Sequence, residues 1–323
     1  MKYLQHVITV TLLSLAGSGA FAADCCLDNL MEGCYCATRS HEYFFVEGDL
    51  LYWQPYIDGM EYNFGTTSLT SSSTDGHRFV VTHELDVDPT FRWDLGYRVG
   101  AGINCMDTAA DLAAFWTCFH GHAHQKSNAP DFGHWKVQFD QIDVVARYEF
   151  DYCSLAIQPF LGLRAAQINQ KLYSHLEIFY EDLTTPAASY VKTIVLDDHQ
   201  KFKGIGPVFG FNLGYYLGYG FGLCGTLGGS CMFGKLDASF HDTESSSAPV
   251  NIDILSLQHS RINNVNAAFD LTFGVEWKKM FCDCRSLGIR IMGEHHQYFN
   301  QNNIGAYGDL SFNGVTFLIN IDL

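Results

Sequence analysis

Through Phe91–Asn104 apolar and polar residues alternate one for one. Phe91, Trp93, Leu95, Tyr97, Val99, Ala101 and Ile103 take one parity, and Arg92, Asp94, Gly96, Arg98, Gly100, Gly102 and Asn104 take the other. Successive side chains of a strand point to opposite faces, so this segment has an apolar face and a face of charge, glycine and amide. Its length exceeds that of an ordinary sandwich strand, whereas a tilted membrane strand needs about 9–11 residues. Aromatic ends, apolar residues outside and charge inside form the pattern of a membrane β-barrel.

The same alternation recurs along the chain. Phe44–Tyr52 places Glu47 and Asp49 opposite its apolar set, and a weaker strand runs to His120. Ile142–Phe150 sets Asp143, Arg147 and Glu149 against its apolar residues; Leu155–Leu163 is followed by Arg164 on the polar parity. Two glycine-rich strands cover Ile205–Leu213 and Phe221–Phe233. Val265–Trp277 carries Asp270 and Glu276 on its polar face, Leu287–Ile291 leads with Arg290 to Glu294, and Val315–Leu323 ends the chain. Leu310 and Phe312 are out of phase with Val315 and Phe317, which predicts a bulge near Asn313–Gly314.

These segments number about ten, and their links alternate in length. Short turns fall at Cys105, Asp151, Tyr216 and Lys279; long polar loops cover Gln54–Thr90, Gly121–Trp135, Ser174–His199 and Leu236–Ile262, with a further long link after Phe299. Outer-membrane barrels join an even number of strands by short periplasmic turns and longer external loops. The expected fold is therefore all-β, a transmembrane antiparallel up-and-down barrel of about ten strands over residues 43–323.

The N-terminus has its own organisation. Lys2, an apolar run from Val7 to Leu15 and Ala20-Phe21-Ala22 predict a secretory signal peptide over residues 1–22. Residues 23–42 form a cysteine-rich segment on the periplasmic side. Beyond the leader no apolar run reaches the roughly 18 residues of a spanning helix. A net charge of −16, from 19 Lys and Arg against 35 Asp and Glu, argues against nucleic acid.

Cysteine placement adds a second feature. On the ten-strand scheme Cys25, Cys26, Cys34 and Cys36 precede the first strand, and Cys105, Cys153, Cys282 and Cys284 sit in short turns, so all eight lie on one side of the membrane. A secreted chain favours disulfides, and the CC and CxC spacings do not match a CxxC zinc knuckle. Eleven cysteines leave at least one without an internal partner. Internal bridges and bridges between chains are both open.

Candidates for chemistry are few. His120, His122 and His124 share a strand face and could present a metal site, but they fall at a loop mouth beside Gly121 and read as polar side chains facing solvent. Acid pairs such as Asp86 with Asp88 and Glu181 with Asp182 lack EF-hand spacing, and no G-x-S-x-G nucleophile motif occurs. No enzyme activity, metal or cofactor is expected. The expected pore lining is Glu47, Asp49, Arg92, Asp94, Arg98, Arg147, Glu149, Arg164, Asp270, Glu276, Arg290 and Glu294. Both signs are present, so these groups can either set ion preference or pair and fill the lumen. Ten strands lie near the closed end of the range between filled eight-stranded barrels and open porins of 16–18 strands.

The pieces Phe45-Val46-Glu47-Gly48-Asp49-Leu50-Leu51-Tyr52-Trp53, Trp93-Asp94-Leu95-Gly96-Tyr97-Arg98-Val99-Gly100, Gln158-Pro159-Phe160-Leu161-Gly162-Leu163-Arg164 and Gly204-Ile205-Gly206-Pro207 resemble the legionella-type pore-forming major outer membrane protein family. The resemblance runs from about Tyr43 to the C-terminus and implies a porin-like barrel in the bacterial outer membrane, with no catalytic residues to carry over. The chain departs from the usual barrel ending in closing on Leu323 rather than an aromatic residue. The cysteine layout is similar to that of the disulfide-crosslinked envelopes of chlamydia-type bacteria. Together these imply a narrow diffusion channel for small hydrophilic solutes or ions, disulfide-linked into the envelope. The alternative is a structural or adhesive barrel with little or no conductance. Expected partners are outer-membrane lipids, small solutes, and the protein itself or other cysteine-rich envelope proteins.

Overall fold

A computed structural model describes residues 44–58, 62–64, 69–72, 78–82, 85–87, 90–104, 109–124, 134–182, 190–246, 254–281, 285–302 and 308–322. Ten long strands close one barrel. They are β1 (Phe44–Ile57), β2 (Asp94–Asn104), β3 (Ala110–His124), β4 (His134–Tyr148), β5 (Leu155–Asp182), β6 (Tyr190–Gly218), β7 (Phe221–Ser246), β8 (Ile254–Met280), β9 (Ser286–Asn302) and β10 (Gly308–Asp322). Each is antiparallel to its neighbour in sequence, and β10 returns to β1 through a register running from Phe45↔Asp322 to Ile57↔Leu310. Closure satisfies the backbone without an edge, which is the condition for strands to cross a bilayer.

Alternation along β1 shows how the sequence makes this wall. Val46, Leu50 and Tyr52 are exposed on the outside, while Phe45, Asp49, Leu51 and Trp53 are buried in the lumen. Leu95, Leu161 and Phe273 are 64–65% exposed around the outer face. An apolar band of this extent is unfavourable against water and favourable against lipid.

The turns on one rim are tight. Between β6 and β7, Gly218 and Gly220 take φ of 108° and 83°, which a side chain resists, and Tyr219 joins them at 54°. A Cβ at Gly220 would stand 2.5 Å from the Lys278 carbonyl oxygen, so glycine is also needed there for close approach.

Several sequence expectations change. Much of the expected loops Ser174–His199 and Leu236–Ile262 is strand: β5 and β6 pair out to Tyr180↔Tyr190, and β7 and β8 to Glu244↔Ile254. Their polar runs, Asp197-Asp198-His199-Gln200 and Asp242-Thr243-Glu244-Ser245-Ser246, read as loop in the linear sequence. Within the expected loop after β1, Arg78–Thr82 pairs with the far end of β5, and Leu69–Ser72 pairs with Arg78–Thr82, widening the sheet beyond the barrel. The predicted bulge at Asn313–Gly314 is absent, since β10 keeps register with β1 and β9 through both residues. Leu310 and Phe312 face inward instead, and the register shift lies in β9, between Tyr298 and Asn302. The continuous strand expected from Phe91 is interrupted: Phe91 is buried at 4% exposure, Arg92 and Trp93 lie between strands, and Trp93 stacks on Tyr52 at 5.2 Å.

Candidate functional site

The lumen is the concave feature of the barrel, and it has three levels. At the short-turn rim a cavity of about 1050 Å³ opens between the turns at Cys153–Ser154 and Tyr216–Gly220 and the end of β8. Phe45, Val145 and Val208 form an apolar cluster in its wall, with Phe115 and Phe160 packed against them. Arg147 lies 5.0 Å from the Phe45 ring and 5.6 Å from the Phe115 ring, and its Nε is 2.6 Å from Asp111 Oδ1. From Asp111 a polar thread crosses the wall. Gln158 donates to Asp111 at 3.1 Å, Asn212 to Gln158 at 2.9 Å, and Thr226 to Asn212 at 3.0 Å. Arg290 and Glu276 pair at 3.0 Å on the opposite side.

At mid-lumen a charged layer spans the barrel. Arg98 binds Asp49 at 3.0 Å and Glu294 at 3.2 Å. Glu294 meets His296 Nε2 at 3.1 Å, and His296 Nδ1 meets Asp270 at 2.7 Å. Asp270 then pairs with Arg164 at 2.7 Å, and Arg164 donates through Nε and Nη2 to both oxygens of Asp143, at 2.8 and 3.0 Å. Gln141 donates to Asp143 at 2.9 Å and accepts from the Tyr298 hydroxyl at 2.6 Å. Side chains from β1, β2, β4, β5, β8 and β9 thus form one connected network. Such a network ties the walls together, with Arg98, Arg164 and His296 facing the four carboxylates of Asp49, Asp143, Asp270 and Glu294.

Above that layer, toward the long hairpins, the lumen is apolar. Trp53 is 1% exposed, and its ring lies 5.6 Å from Phe119, 5.7 Å from Phe312 and 5.0 Å from His296. Phe139 and Tyr298 complete the aromatic cluster, with Phe139 5.0 Å from Phe312 and 5.4 Å from Tyr298. Trp135, Ile168, Phe202, Met232 and Leu236 extend this cluster across the interior, none more than 1% exposed. The end of β9 folds over it. Asn300 takes φ of 53°, Gln170 and Gln200 donate to the Gln301 carbonyl, and Asn266 donates to the Phe299 carbonyl at 2.7 Å.

Of the residues expected to line a pore, Asp49, Arg98, Arg164, Asp270 and Glu294 meet in the central layer. Glu47, Arg147, Glu149, Glu276 and Arg290 line the cavity. Asp94 sits near the opposite rim, accepting from the His122 backbone N–H at 2.8 Å. Arg92 does not join them: it is exposed and outside the strand alternation, because the chain breaks there to turn Phe91 inward. His120 and His122 are exposed on the outer face, and no group of ligands suited to a metal occurs among the described residues. The His124 side chain, the leader, Leu323 and Cys25, Cys26, Cys34, Cys36, Cys105, Cys282 and Cys284 lie outside the described residues. Cys153 is exposed in the β4–β5 turn, and Cys118, Cys224 and Cys231 are free thiols.

The sequence pattern placed neither the aromatic cluster nor His296, a weak metal candidate beside His295, inside the lumen. The signal was present: at Leu51–Ile57, Trp135–Phe139 and Leu310–Phe312 the inward parity is itself apolar.

The chain matches the family model described as Legionella pneumophila major outer membrane protein precursor over residues 37–317. It belongs to this family. The protein is accordingly a β-barrel of the bacterial outer membrane. No curated protein matches it in sequence. Among solved structures it is similar to the outer membrane protease OmpT from Escherichia coli, at 10% identity and TM-score 0.39, covering 86% of this chain and 96% of that one. It is also similar to the outer membrane protein AlkL, at 15% identity and TM-score 0.29, covering 76% and 95%. The Pseudomonas putida toluene transporter TodX matches at 9% identity and TM-score 0.31, covering 88% and 90%. At these similarities the likeness goes no further than a barrel.

Proposed function

We propose that this major outer membrane protein family member is an envelope barrel closed to free diffusion in its resting state, with little or no standing conductance. The observation that supports the reading is the apolar level of the lumen, where Trp53, Phe119, Phe139 and Phe312 are no more than 2% exposed and pack ring against ring. A path for hydrated ions needs exposed wall at every level, and small barrels are readily filled by their own side chains. We assign the protein no catalytic step.

A second reading is a narrow channel for small hydrophilic solutes or ions. The cavity of about 1050 Å³ favours it, because it already admits solvent from one rim as far as the charged layer. Planar-bilayer conductance of the refolded mature chain, with a salt gradient across the membrane, separates the two. A folded barrel that stays silent supports the closed state; stepwise openings of the unaltered protein would overturn it and give the ion preference from the reversal potential.

Disulfide linkage into the envelope is part of the same proposal. Cys153 is exposed on the short-turn rim, the rim to which the sequence order assigns Cys105, Cys282 and Cys284.

A further inference from the structure

On the outer surface the apolar band ends abruptly across four adjacent strands, and cations begin. Ile142, Ala165, Ile205 and Phe233 stand side by side in the ladder from β4 to β7. One outward-facing row further from the turns, the same strands carry Asp140, Gln167, Lys203 and Lys235. The next two rows bring Lys201, with Asp237 and Arg261 beside it, and then Lys136 opposite Lys171. Lys136, Lys171, Lys201, Lys203 and Lys235 are half of the ten lysines in a chain of net charge −16.

Partnering separates this strip from the lumen. Each of the lumen arginines Arg98, Arg147, Arg164 and Arg290 is bound by a carboxylate. Arg261 is bound by Asp237 at 3.0 Å. Among the described residues no carboxylate lies within ion-pair distance of any of the five lysines, although acids outnumber bases almost two to one in the chain. Partial burial, with Lys171 and Lys201 beside it, holds the His199 imidazole below its ordinary pKa, as a locally cationic surface does. Unpartnered ammonium groups along the margin of a lipid-facing band have one obvious source of counter-charge, the headgroups of the surrounding leaflet.

We propose that the strip formed by Lys136, Lys171, Lys201, Lys203 and Lys235 binds phosphate-bearing headgroups of the outer leaflet. The occupant is the lipid surface itself: the strip continues the lipid-contacting band, and its lysines stand on several strands rather than converging on one point. The inference is independent of whether the lumen conducts.

The test uses the mature chain in phosphatidylcholine nanodiscs, with and without bisphosphorylated lipid A, read by native mass spectrometry and by unfolding midpoint. The expected result is retained lipid A and a raised midpoint, both weakening as salt increases. The variant K171Q/K203Q/K235Q is expected to bind lipid A about a hundredfold more weakly. K279Q, on the short-turn rim, is expected to bind as the parent does. A heat-modifiable gel band establishes that each variant is folded. Equal retention by the triple variant would overturn the proposal, as would equal binding of dephosphorylated lipid A. Inorganic pyrophosphate raising the midpoint of the detergent-solubilised barrel as much as lipid A would also overturn it, by reducing the strip to a simple anion site.

Discussion

Arg98 on β2 and Glu294 on β9 are 196 positions apart in the chain and meet inside the lumen, with Nη1–Oε1 at 3.3 Å and Nη2–Oε2 at 3.2 Å. The pair is two-pronged, and the same guanidinium also holds Asp49. Removing Arg98 leaves Asp49 without its cation and Glu294 with His296 alone, and both carboxylate side chains have no solvent exposure. Arg98→Ala is therefore expected to lower stability by about 3–5 kcal/mol. R98M/E294Q should recover part of that loss, because it removes a buried charge of each sign. Urea unfolding in lipid vesicles checks both, and a double variant no better than R98A would show that the pair does not act as a unit.

Trp53 and Phe312 are central to the seal. Shortening either side chain is expected to cost about 3–5 kcal/mol. W53A/F312A should also convert a silent barrel into one with measurable single-channel steps, since it removes two rings from the occluding level. Conductance that stays at zero in the folded double variant would place the barrier in the charged layer instead.

Gly314 leaves room for Trp53. A Cβ there would fall 2.2 Å from Trp53 Cδ1 and 2.4 Å from the Tyr52 carbonyl oxygen. Gly314→Ala is expected to destabilise the barrel by about 1–3 kcal/mol and to alter near-ultraviolet dichroism from the aromatic cluster. An unchanged midpoint and spectrum would mean that the indole has another position open to it.

His199 should titrate below pH 6.5, because burial and then Lys171 and Lys201 disfavour its charged form. Its folded state binds fewer protons than the unfolded chain, so its small stabilising contribution is present above pH 6.5. That contribution is lost as pH falls through the lowered folded value. Proton NMR of a ring-labelled sample reads the midpoint, and Lys171→Gln is expected to move it upward.

Cys153 should report which side the short turns face. In a variant retaining only Cys153, a membrane-impermeant maleimide is expected to label intact cells poorly and permeabilised cells fully. On non-reducing gels, isolated envelopes of the unaltered protein are expected to show bands above the monomer that collapse with reductant. A monomer alone would remove the crosslinking proposal.

Strand number and the lipid-facing parity were legible in the sequence because lipid imposes a period of two wherever a strand crosses it. Val46, Leu50, Tyr97, Val99, Phe273 and Ile319 all follow that rule and are exposed on the outer face. The outer reaches of β5–β8 read as loops because polar runs such as Asp197–Gln200 and Asp242–Ser246 carry no apolar parity. Inside the barrel no periodicity distinguishes an aqueous wall from a packed one. The charges of Arg98, Arg164, Asp270 and Glu294 were visible as inward-facing, but their pairing depends on registers that bring strands far apart in sequence to one level. Trp53, Phe139 and Phe312 come from three strands whose apolar inner faces had no partner in the linear pattern. Sequence by itself determined a membrane barrel and its two faces, through local side-chain alternation. Closure of the ten strands decided how the lumen is layered, because only there do the charged groups and the aromatic rings come within contact distance.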